Sequence, residues 1–157
     1  MPIVLIRIDD RLIHGQVVVG WSHYLEANQI IVADDKVAGD TTQKMLYEMV
    51  VPPDMKVSIL SVREAAQILQ QQSQDTFRTI VLFSKPQDVV CYFQAGGPVK
   101  SVNVGGMRFE PGKKQIAQTI SVNEEDLAAF RELQKEHIIL EGRAVPTDPP
   151  LDISKFL

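Results

Sequence analysis

Short apolar runs alternate with longer amphipathic segments along most of the chain. This rhythm is typical of strand–helix–strand units, in which a mostly parallel sheet is covered by helices. Residues 3–6 (Ile-Val-Leu-Ile) and 80–83 (Ile-Val-Leu-Phe) are apolar at every position, which predicts strands that are covered on both faces. The predicted strands cover residues 3–8, 29–33, 55–60, 79–83, 101–104, 115–120 and 138–143.

Residues typical of helix N-termini precede the amphipathic segments. Ser61 and Ser121 each stand three residues before a glutamate, which is the spacing of a capping box, and Asp40 stands three residues before a glutamine. The pair Pro52-Pro53 is expected to end the helix before it. The predicted helices cover residues 15–27, 41–50, 62–72, 86–95 and 124–136.

Together these elements predict one α/β domain over residues 1–157, with a mostly parallel central sheet and helices on both of its faces. A chain of 157 residues suits this arrangement, because domains typically contain about 100–200 residues. The C-terminal segment 145–157 contains three prolines. It is predicted to dock against the domain as an extension rather than to form a further element.

Composition narrows the classes of function. The formal net charge is −4 and lysines and arginines form no block, so the sequence does not predict binding to DNA or RNA. No apolar run approaches the length of about 20 residues that spans a bilayer, and the first residues lack the pattern of a secretory signal. The single cysteine, Cys91, has no partner for an internal disulfide. The chain is therefore expected to be a cytoplasmic domain.

The densest group of polar residues follows the first predicted strand and contains Arg7, Asp9, Asp10, Arg11 and His14. In open α/β sheets ligands bind at the carboxyl ends of the strands, so this loop is expected to carry the site. His14 immediately precedes a predicted helix, whose unpaired N–H groups and positive end attract anions. A neutral imidazole is a nucleophile, and a guanidinium suits phosphate. These residues predict an anion site with a candidate nucleophilic histidine.

Simpler interpretations remain open from the same residues. His14 stands where it can cap a helix or pair with Asp9 or Asp10, and the charged side chains can form a structural network of ion pairs. Ser84 follows the fourth predicted strand and is expected at the same edge of the sheet. Its hydroxyl either binds a phosphoryl group or caps the helix that starts near Pro86.

Five segments of the chain resemble, in the same order, the IIB subunit of the bacterial phosphoenolpyruvate-dependent sugar phosphotransferase system, mannose/fructose/sorbose type. They span nearly the whole chain, and their coincidence makes the resemblance specific. The segments are residues 7–17 (RIDDRLIHGQV), 30–37 (IIVADDKV), 102–107 (VNVGGM), 112–116 (GKKQI) and 121–127 (SVNEEDL).

The resemblance implies a phosphocarrier in which His14 carries the phosphoryl group, with Nδ1 as the family's site of attachment. Arg11 matches the family's arginine three residues before the histidine. The resemblance further implies that the group arrives from a phosphohistidine of a IIA partner and passes to a sugar held by the membrane subunits IIC and IID. Backbone N–H groups at Gly15 and Gln16 are expected to support the phosphoryl group, because phosphoryl transfer depends mainly on positioning and charge stabilisation.

Either Asp9 or Asp10 is expected to fix the tautomer of the imidazole by accepting a ring N–H, or else to pair with Arg7 or Arg11. No metal or cofactor is expected, because no polyphosphate has to be neutralised. The donor is expected on a separate chain, since no fused IIA domain is recognisable, and a homodimer is consistent with the family. The domain is expected to associate peripherally with the membrane complex. Mannose, fructose, sorbose and N-acetylated amino sugars remain open as substrates.

Two other classes of function compete with the phosphocarrier. A receiver-like regulatory domain would use the acidic pair Asp9-Asp10, but Leu60-Ser61 stands where such a domain needs its acceptor aspartate. A flavodoxin-like module would bind an anion or small molecule at the same edge without chemistry.

Overall fold

A seven-stranded sheet forms the centre of the protein, for which the computed structural model describes residues 3–71 and 76–157. Its strands are β1 (Ile3–Asp9), β2 (Gln29–Ala33), β3 (Lys56–Leu60), β4 (Thr79–Phe83), β5 (Ser101–Gly106), β8 (Ile139–Gly142) and β9 (Leu151–Asp152), and a separate hairpin pairs β6 (Lys114–Ala117) with β7 (Ile120–Val122). The order across the sheet is β3-β2-β4-β1-β5-β8-β9. All neighbouring strands are parallel except β9, which runs antiparallel to β8. The predicted parallel α/β sheet is confirmed.

Helices cover both faces of this sheet. They are α1, with a π-helical part (Gln16–Trp21) and an α-helical part (Ser22–Leu25), α2 (Asp35–Ala38), α3 (Thr41–Val50), α4 (Val62–Gln71), α5 (Pro86–Gln94) and α6 (Glu124–Lys135). Successive strand residues point to opposite faces, so Ile31 and Val81 pack with α4, α5 and α6, whereas Ile30 and Ile80 pack with α1, α2 and α3. We call these the α4–α6 face and the α1–α3 face. Within the described residues, no helix is long and apolar enough to cross a membrane.

The direction of winding reverses between β1 and β4. The chain leaves β1 towards α1 on the α1–α3 face, and it leaves β4 towards α5 on the α4–α6 face. A crevice therefore opens between the carboxyl ends of these two neighbouring strands, which is where open α/β sheets bind their ligands. The loop that follows β1 starts at this crevice.

The start of α6 at Glu124 is as predicted, but its capping box is formed by Asn123 and Asp126 and not by Ser121, which lies in β7.

Helix α1 differs from the predicted continuous helix over residues 15–27. Its first part is π-helical, and the Ser22 hydroxyl donates to the Val17 carbonyl at 3.0 Å, five residues earlier, which stabilises the wider turn. Helix α1 ends at Leu25, and the next residue, Glu26, has a left-handed φ of 54°. The predicted end of α4 at Gln72 lies outside the described residues.

Prediction of a single strand over residues 115–120 was wrong, because this stretch contains the turn between β6 and β7. Tertiary hydrogen bonds hold that turn. The Thr119 hydroxyl donates to the Gly105 carbonyl at 2.8 Å, and the Thr119 carbonyl accepts from Met107 N–H at 2.9 Å. The end of β5 thus decides where the chain reverses.

The C-terminal segment 145–157 forms elements of its own, which corrects the prediction of a docked extension without further elements. Strand β9 pairs with β8, and a 3-10 turn follows at Ile153–Phe156. Ile153 is fully buried in the core of the α4–α6 face. Pairing with the free edge of β8 and burial of Ile153 stabilise these elements in spite of the prolines in the segment.

Helix α2 was also not predicted. Asp34 caps it by accepting from Val37 N–H at 2.9 Å.

Candidate active site

The loop after β1 is anchored by two apolar residues between two polar ones. Leu12 and Ile13 are buried in the core of the α1–α3 face, whereas Arg11 is exposed and His14 is half-buried. Leu12 has a left-handed backbone with φ of 55°, and its N–H donates to the Asp9 carbonyl at 2.9 Å. A left-handed leucine costs about 1–2 kcal/mol, which burial of its side chain offsets. The turn is therefore tight, and its two polar side chains stay at the crevice.

The imidazole of His14 is held from behind by Asp9. Nε2 of His14 lies 3.0 Å from Oδ2 of Asp9, a carboxylate with no exposed surface. An ionised carboxylate only accepts hydrogen bonds, so the proton of the neutral ring is on Nε2. Nδ1 then carries the lone pair, which makes it the ring atom that is able to act as a nucleophile. The sequence left Asp9 and Asp10 as alternatives, and the structure places Asp9 against the ring.

Asp9 stays ionised although it is buried. Burial opposes the charged form, but the hydrogen bonds from His14 and from the Arg11 N–H, together with the charge of Arg7, lower the pKa of Asp9 to about 2. Its Oδ1 accepts from Arg11 N–H at 3.1 Å, and its Oδ2 accepts from Nη2 of Arg7 at 3.1 Å. Both predicted alternatives for this aspartate, orientation of the ring and pairing with arginine, are present at once.

Arg7 is the member of this site that sequence reasoning did not propose as functional. Its side chain is fully buried, and burial lowers its pKa, which the charge of Asp9 partly restores. The signal was present in the sequence, because an arginine inside a strand that is apolar on both sides is rarely buried without a specific partner.

Arg11 and Asp10 have different surroundings. The Nε of Arg11 lies 3.4 Å from Oδ1 of Asp9, but 59% of the Arg11 side chain is exposed. Its guanidinium is therefore available at the mouth of the crevice. Asp10 points to the loop after β5, where its Oδ2 accepts from Arg108 N–H at 2.8 Å. Asp10 thus ties two loops of the same edge together.

A cleft of about 550 Å³ adjoins this loop at the carboxyl edge. Ser84 lines it, and its hydroxyl donates to Oδ2 of Asp34 at 2.8 Å. The alternative that Ser84 caps α5 is wrong, because Lys85 occupies the capping position and gives no side-chain cap. The hydroxyl of Ser84 is thus hydrogen-bonded at the wall of the cleft. The cationic side chains that line the cleft are Arg11, Lys36, Lys85, Arg108 and Lys113.

Gly15 and Gln16 stand where α1 begins. The N–H groups of Val17 and Val18 both donate to the His14 carbonyl at 3.1 Å, so the helix starts directly behind the histidine. The N–H groups before them have no partner within the helix, as at any helix N-terminus. The side chain of Gln16 lies outside the described part of the structure. Among residues 3–71 and 76–157, no three His, Cys, Asp or Glu side chains form a group that could hold a metal ion.

Known proteins that resemble this chain have one type of function in common. A family model described as "PTS system sorbose subfamily IIB component" matches residues 3–157. The fructose-specific EIIB component of the PTS of Bacillus subtilis (strain 168) is 41% identical over 157 residues, which is 100% of this chain and 96% of that protein. The mannose-specific EIIAB component of Escherichia coli (strain K12) is 42% identical over 157 residues, which is 100% of this chain and 49% of that protein.

The fold agrees with these relatives. The crystal structure of the IIBSor domain of the sorbose permease from Klebsiella pneumoniae superposes with a TM-score of 0.91 and 38% sequence identity, and it covers 99% of this chain and 95% of that one. The predicted resemblance and the function class that it implied are confirmed. The chain belongs to the sorbose subfamily of IIB components of the sugar phosphotransferase system, and it is a phosphotransferase component of sugar uptake.

Proposed function

We propose that His14 is the residue that carries the phosphoryl group, bound through Nδ1. The observation that supports this is the hydrogen bond from Nε2 of His14 to the buried carboxylate of Asp9, 3.0 Å long, which leaves the lone pair on Nδ1. The donor is a phosphohistidine of a IIA component, and the acceptor is a hydroxyl of a sugar held by IIC and IID. A relative in which A and B components share one chain supports the IIA partnership.

The first transfer needs no base. Nδ1 of His14 attacks phosphorus, the P–N bond of the donor breaks, and the donor imidazole leaves as a neutral ring with its own N–H. His14 then carries the phosphoryl group on Nδ1 and a proton on Nε2, so its ring gains positive charge. Asp9, already ionised, faces that charge across the Nε2 hydrogen bond and stabilises it.

In the second transfer the sugar oxygen attacks phosphorus, the P–Nδ1 bond of His14 breaks, and the hydroxyl proton goes to a base at the sugar site. His14 returns to the neutral tautomer that Asp9 selects. The exposed guanidinium of Arg11 meets two of the three phosphoryl oxygens during both steps, and N–H groups at Gly15 and Gln16 complete the anion site. The chain acts on the cytoplasmic side, attached to the membrane subunits.

Both partners use the carboxyl edge, because two reacting groups must approach His14 from the same side. The cleft there is bordered by α3 through Gln43 and Tyr47. This helix buries none of its residues and exposes Met45, Leu46 and Met49, which are 59%, 60% and 78% accessible. Methionines adapt to differently shaped partners, which suits a surface that serves two of them in turn.

The test is phosphorylation of the chain with labelled phosphoenolpyruvate, the general carrier proteins and IIA. We expect an acid-labile, alkali-stable label that is lost in His14→Ala and kept in His23→Ala and His137→Ala. A label retained by His14→Ala contradicts the assignment. Labelling by acetyl phosphate that requires Mg²⁺ would instead indicate a receiver, and absence of any label would indicate a binding module.

Docking is tested by chemical-shift mapping with IIA. Amide signals of residues 10–16 are expected to move, together with those near Lys36, Arg108 and α3. The transient interface is expected to bury less than about 1,200 Å². Shifts confined to the amino-terminal edge of the sheet would contradict this docking surface. The predicted homodimer is checked by the mass of the chain in solution.

A further inference from the structure

Arg7 is bound on all sides by acceptors from distant parts of the chain. Its Nη1 donates to the Asn103 side chain and to the Arg143 carbonyl at 3.0 Å, and its Nη2 donates to Oδ2 of Asp9 at 3.1 Å and to the Ala144 carbonyl at 3.0 Å. A buried cation is expensive even when it is paired, and here Nε has no hydrogen-bond partner among the described residues. Stability alone therefore does not explain an arginine at this position.

Trp21 completes the surroundings of the guanidinium. Cζ of Arg7 lies 5.3 Å from the centre of the indole ring, within the range of a cation–π interaction. Nε1 of Trp21 donates to the Ala144 carbonyl at 3.2 Å, the same acceptor that Nη2 of Arg7 uses. The indole is almost completely buried. Arg7 and Trp21 are thus both bound to a single backbone carbonyl.

That carbonyl is itself fixed by the sheet. Arg143 N–H donates to the Val104 carbonyl at 2.9 Å, and the chain beyond it returns as β9 to pair with β8. On the other side, β5 approaches the guanidinium so closely that a Cβ at Gly105 would lie 1.9 Å from Nη2 of Arg7. The position of the Arg7 guanidinium is therefore fixed by its surroundings.

We propose that Arg7, Trp21 and the carbonyls of residues 143 and 144 form a brace that positions the His14 imidazole through Asp9. Oδ2 of Asp9 accepts from both Nη2 of Arg7 and Nε2 of His14, so a shift of the guanidinium moves the atom that selects the tautomer of the ring. Arg7 and Trp21 are positioning residues, since both are buried and Arg7 acts on His14 through Asp9. The proposal rests on the proposed function for its kinetic consequence.

Gly105→Ala is the sharpest test, because it displaces the guanidinium without changing any charge or any residue of the loop. We expect transfer from IIA to slow by about 10- to 100-fold, which is the effect of removing the hydrogen-bond partners that orient a metal-binding histidine in other proteins. We also expect ¹⁵N NMR to show His14 as a mixture of tautomers in place of the Nε2–H form. The matched control is Gly39→Ala, whose Cβ would meet nothing closer than 3.6 Å, and which should behave as the wild type.

Trp21→Phe is the second variant, and it keeps a ring beside Arg7 while removing one donor. Loss of one hydrogen bond is expected to slow transfer by about two- to tenfold and to shift the tautomer ratio in the same direction. Leu133→Ala, in the core of the α4–α6 face, provides a variant of lowered stability with an intact brace.

The outcomes separate the two proposals. A normal rate and a normal tautomer in folded Gly105→Ala or Trp21→Phe would overturn the brace, whatever their melting temperatures. So would a Leu133→Ala variant that shows the same slow transfer and mixed tautomers, because the effect would then come from lost stability. Absence of a label on His14 in the wild type would overturn the proposed function instead, and the tautomer measurement would still decide on the brace.

Discussion

The two faces of the sheet are covered very differently. On the α4–α6 face, each helix inserts several fully buried side chains, such as Leu69 of α4, Tyr92 of α5 and Phe130 of α6. On the α1–α3 face, the cover is α1 with its π-helical part, the four-residue α2, and α3, which buries no residue at all. The loop with His14 belongs to this second face.

This difference between the two faces indicates which part of the protein contributes most to stability and which part offers an adaptable surface. Burial of apolar area is the main source of stability, and the α4–α6 face has more of it. Regions with few buried contacts open at low free energy, and binding loops are drawn from such regions. The α1–α3 face therefore needs further contacts to hold the imidazole, and the buried ion pair of Asp9 and Arg7 at its edge supplies them.

The largest expected effect is that of a substitution in the core of the α4–α6 face. Phe130→Ala removes a fully buried ring from the core and should lower the free energy of unfolding by about 3–5 kcal/mol. The rate of phosphoryl transfer per folded molecule should not change, because the ring and the loop pack on opposite faces of the sheet. Urea denaturation and transfer kinetics measure the two quantities. Met49→Ala on α3, which is 78% exposed, is the control and should change stability by less than about 0.5 kcal/mol.

The reverse pattern is expected for Arg11→Ala. Loss of a charge-assisted contact to the phosphoryl oxygens should raise the barrier by about 3 kcal/mol, or roughly 10²–10³ in rate, as removal of an oxyanion donor does. Stability should hardly change, since 59% of the side chain is exposed. Arg11→Lys should restore only part of the rate, because an ammonium lacks the planar fork. Rapid-quench kinetics beside thermal melts decide this, and a large fall in melting temperature with normal transfer would make Arg11 structural.

Low pH should lower the free energy of unfolding by protonating Asp9, at the edge of the α1–α3 face. Its pKa is lowered to about 2, so its contribution to stability is complete above about pH 4 and is lost as the pH falls from about 4 to about 2. The loss amounts to about 2 kcal/mol for a shift of this size. Carbon NMR of the carboxyl group should give a midpoint near pH 2, and urea denaturation should follow it. A midpoint near pH 4 would contradict the buried hydrogen bonds that we assign to this carboxylate.

An effect of similar size but opposite sign is expected from Asp88, at the start of α5 on the α4–α6 face. Burial, reinforced by the charges of Asp34 and Asp35 and opposed by Lys85, raises the pKa of Asp88 to about 6. The sign is opposite to that of Asp9, so stability should fall as the pH rises from about 4 through about 6. Asp88→Asn should remove this slope and leave the acid limb of Asp9 intact. An unchanged slope in Asp88→Asn would show that another group titrates there.

The success of sequence reasoning followed the strength of local signals. Strands β2 and β4 and helix α3 have the predicted bounds, because continuous apolar runs and an N-terminal Asp40 cap are properties of a few neighbouring residues. The turn between β6 and β7 was not predicted, since its position depends on hydrogen bonds from Thr119 to the end of β5. The same holds for β9, which forms only because β8 offers it an edge.

The candidate site divides in the same way. His14 and Arg11 were predicted from a polar loop after a strand, supported by the resemblance to a family. Their roles remain predictions, as do those of Gly15, Gln16 and Ser84. Pairing of Arg7 with an aspartate was among the predicted alternatives, but its remaining contacts were not predicted, because they lie 96 to 137 residues away along the chain, at Asn103, Arg143 and Ala144.

The amino-acid sequence alone predicted the class of the fold, the loop that we propose to carry the chemistry and the residue types available there, because periodicity, capping and charge are properties of neighbouring residues. Only the tertiary structure decided which aspartate faces the imidazole, which ring nitrogen is left free and what holds that aspartate in place. Asp9 and Asp10 are equivalent as residue types. They differ because one points to a buried arginine and the other to the Arg108 N–H, and direction is set by the packing of β1 between β4 and β5.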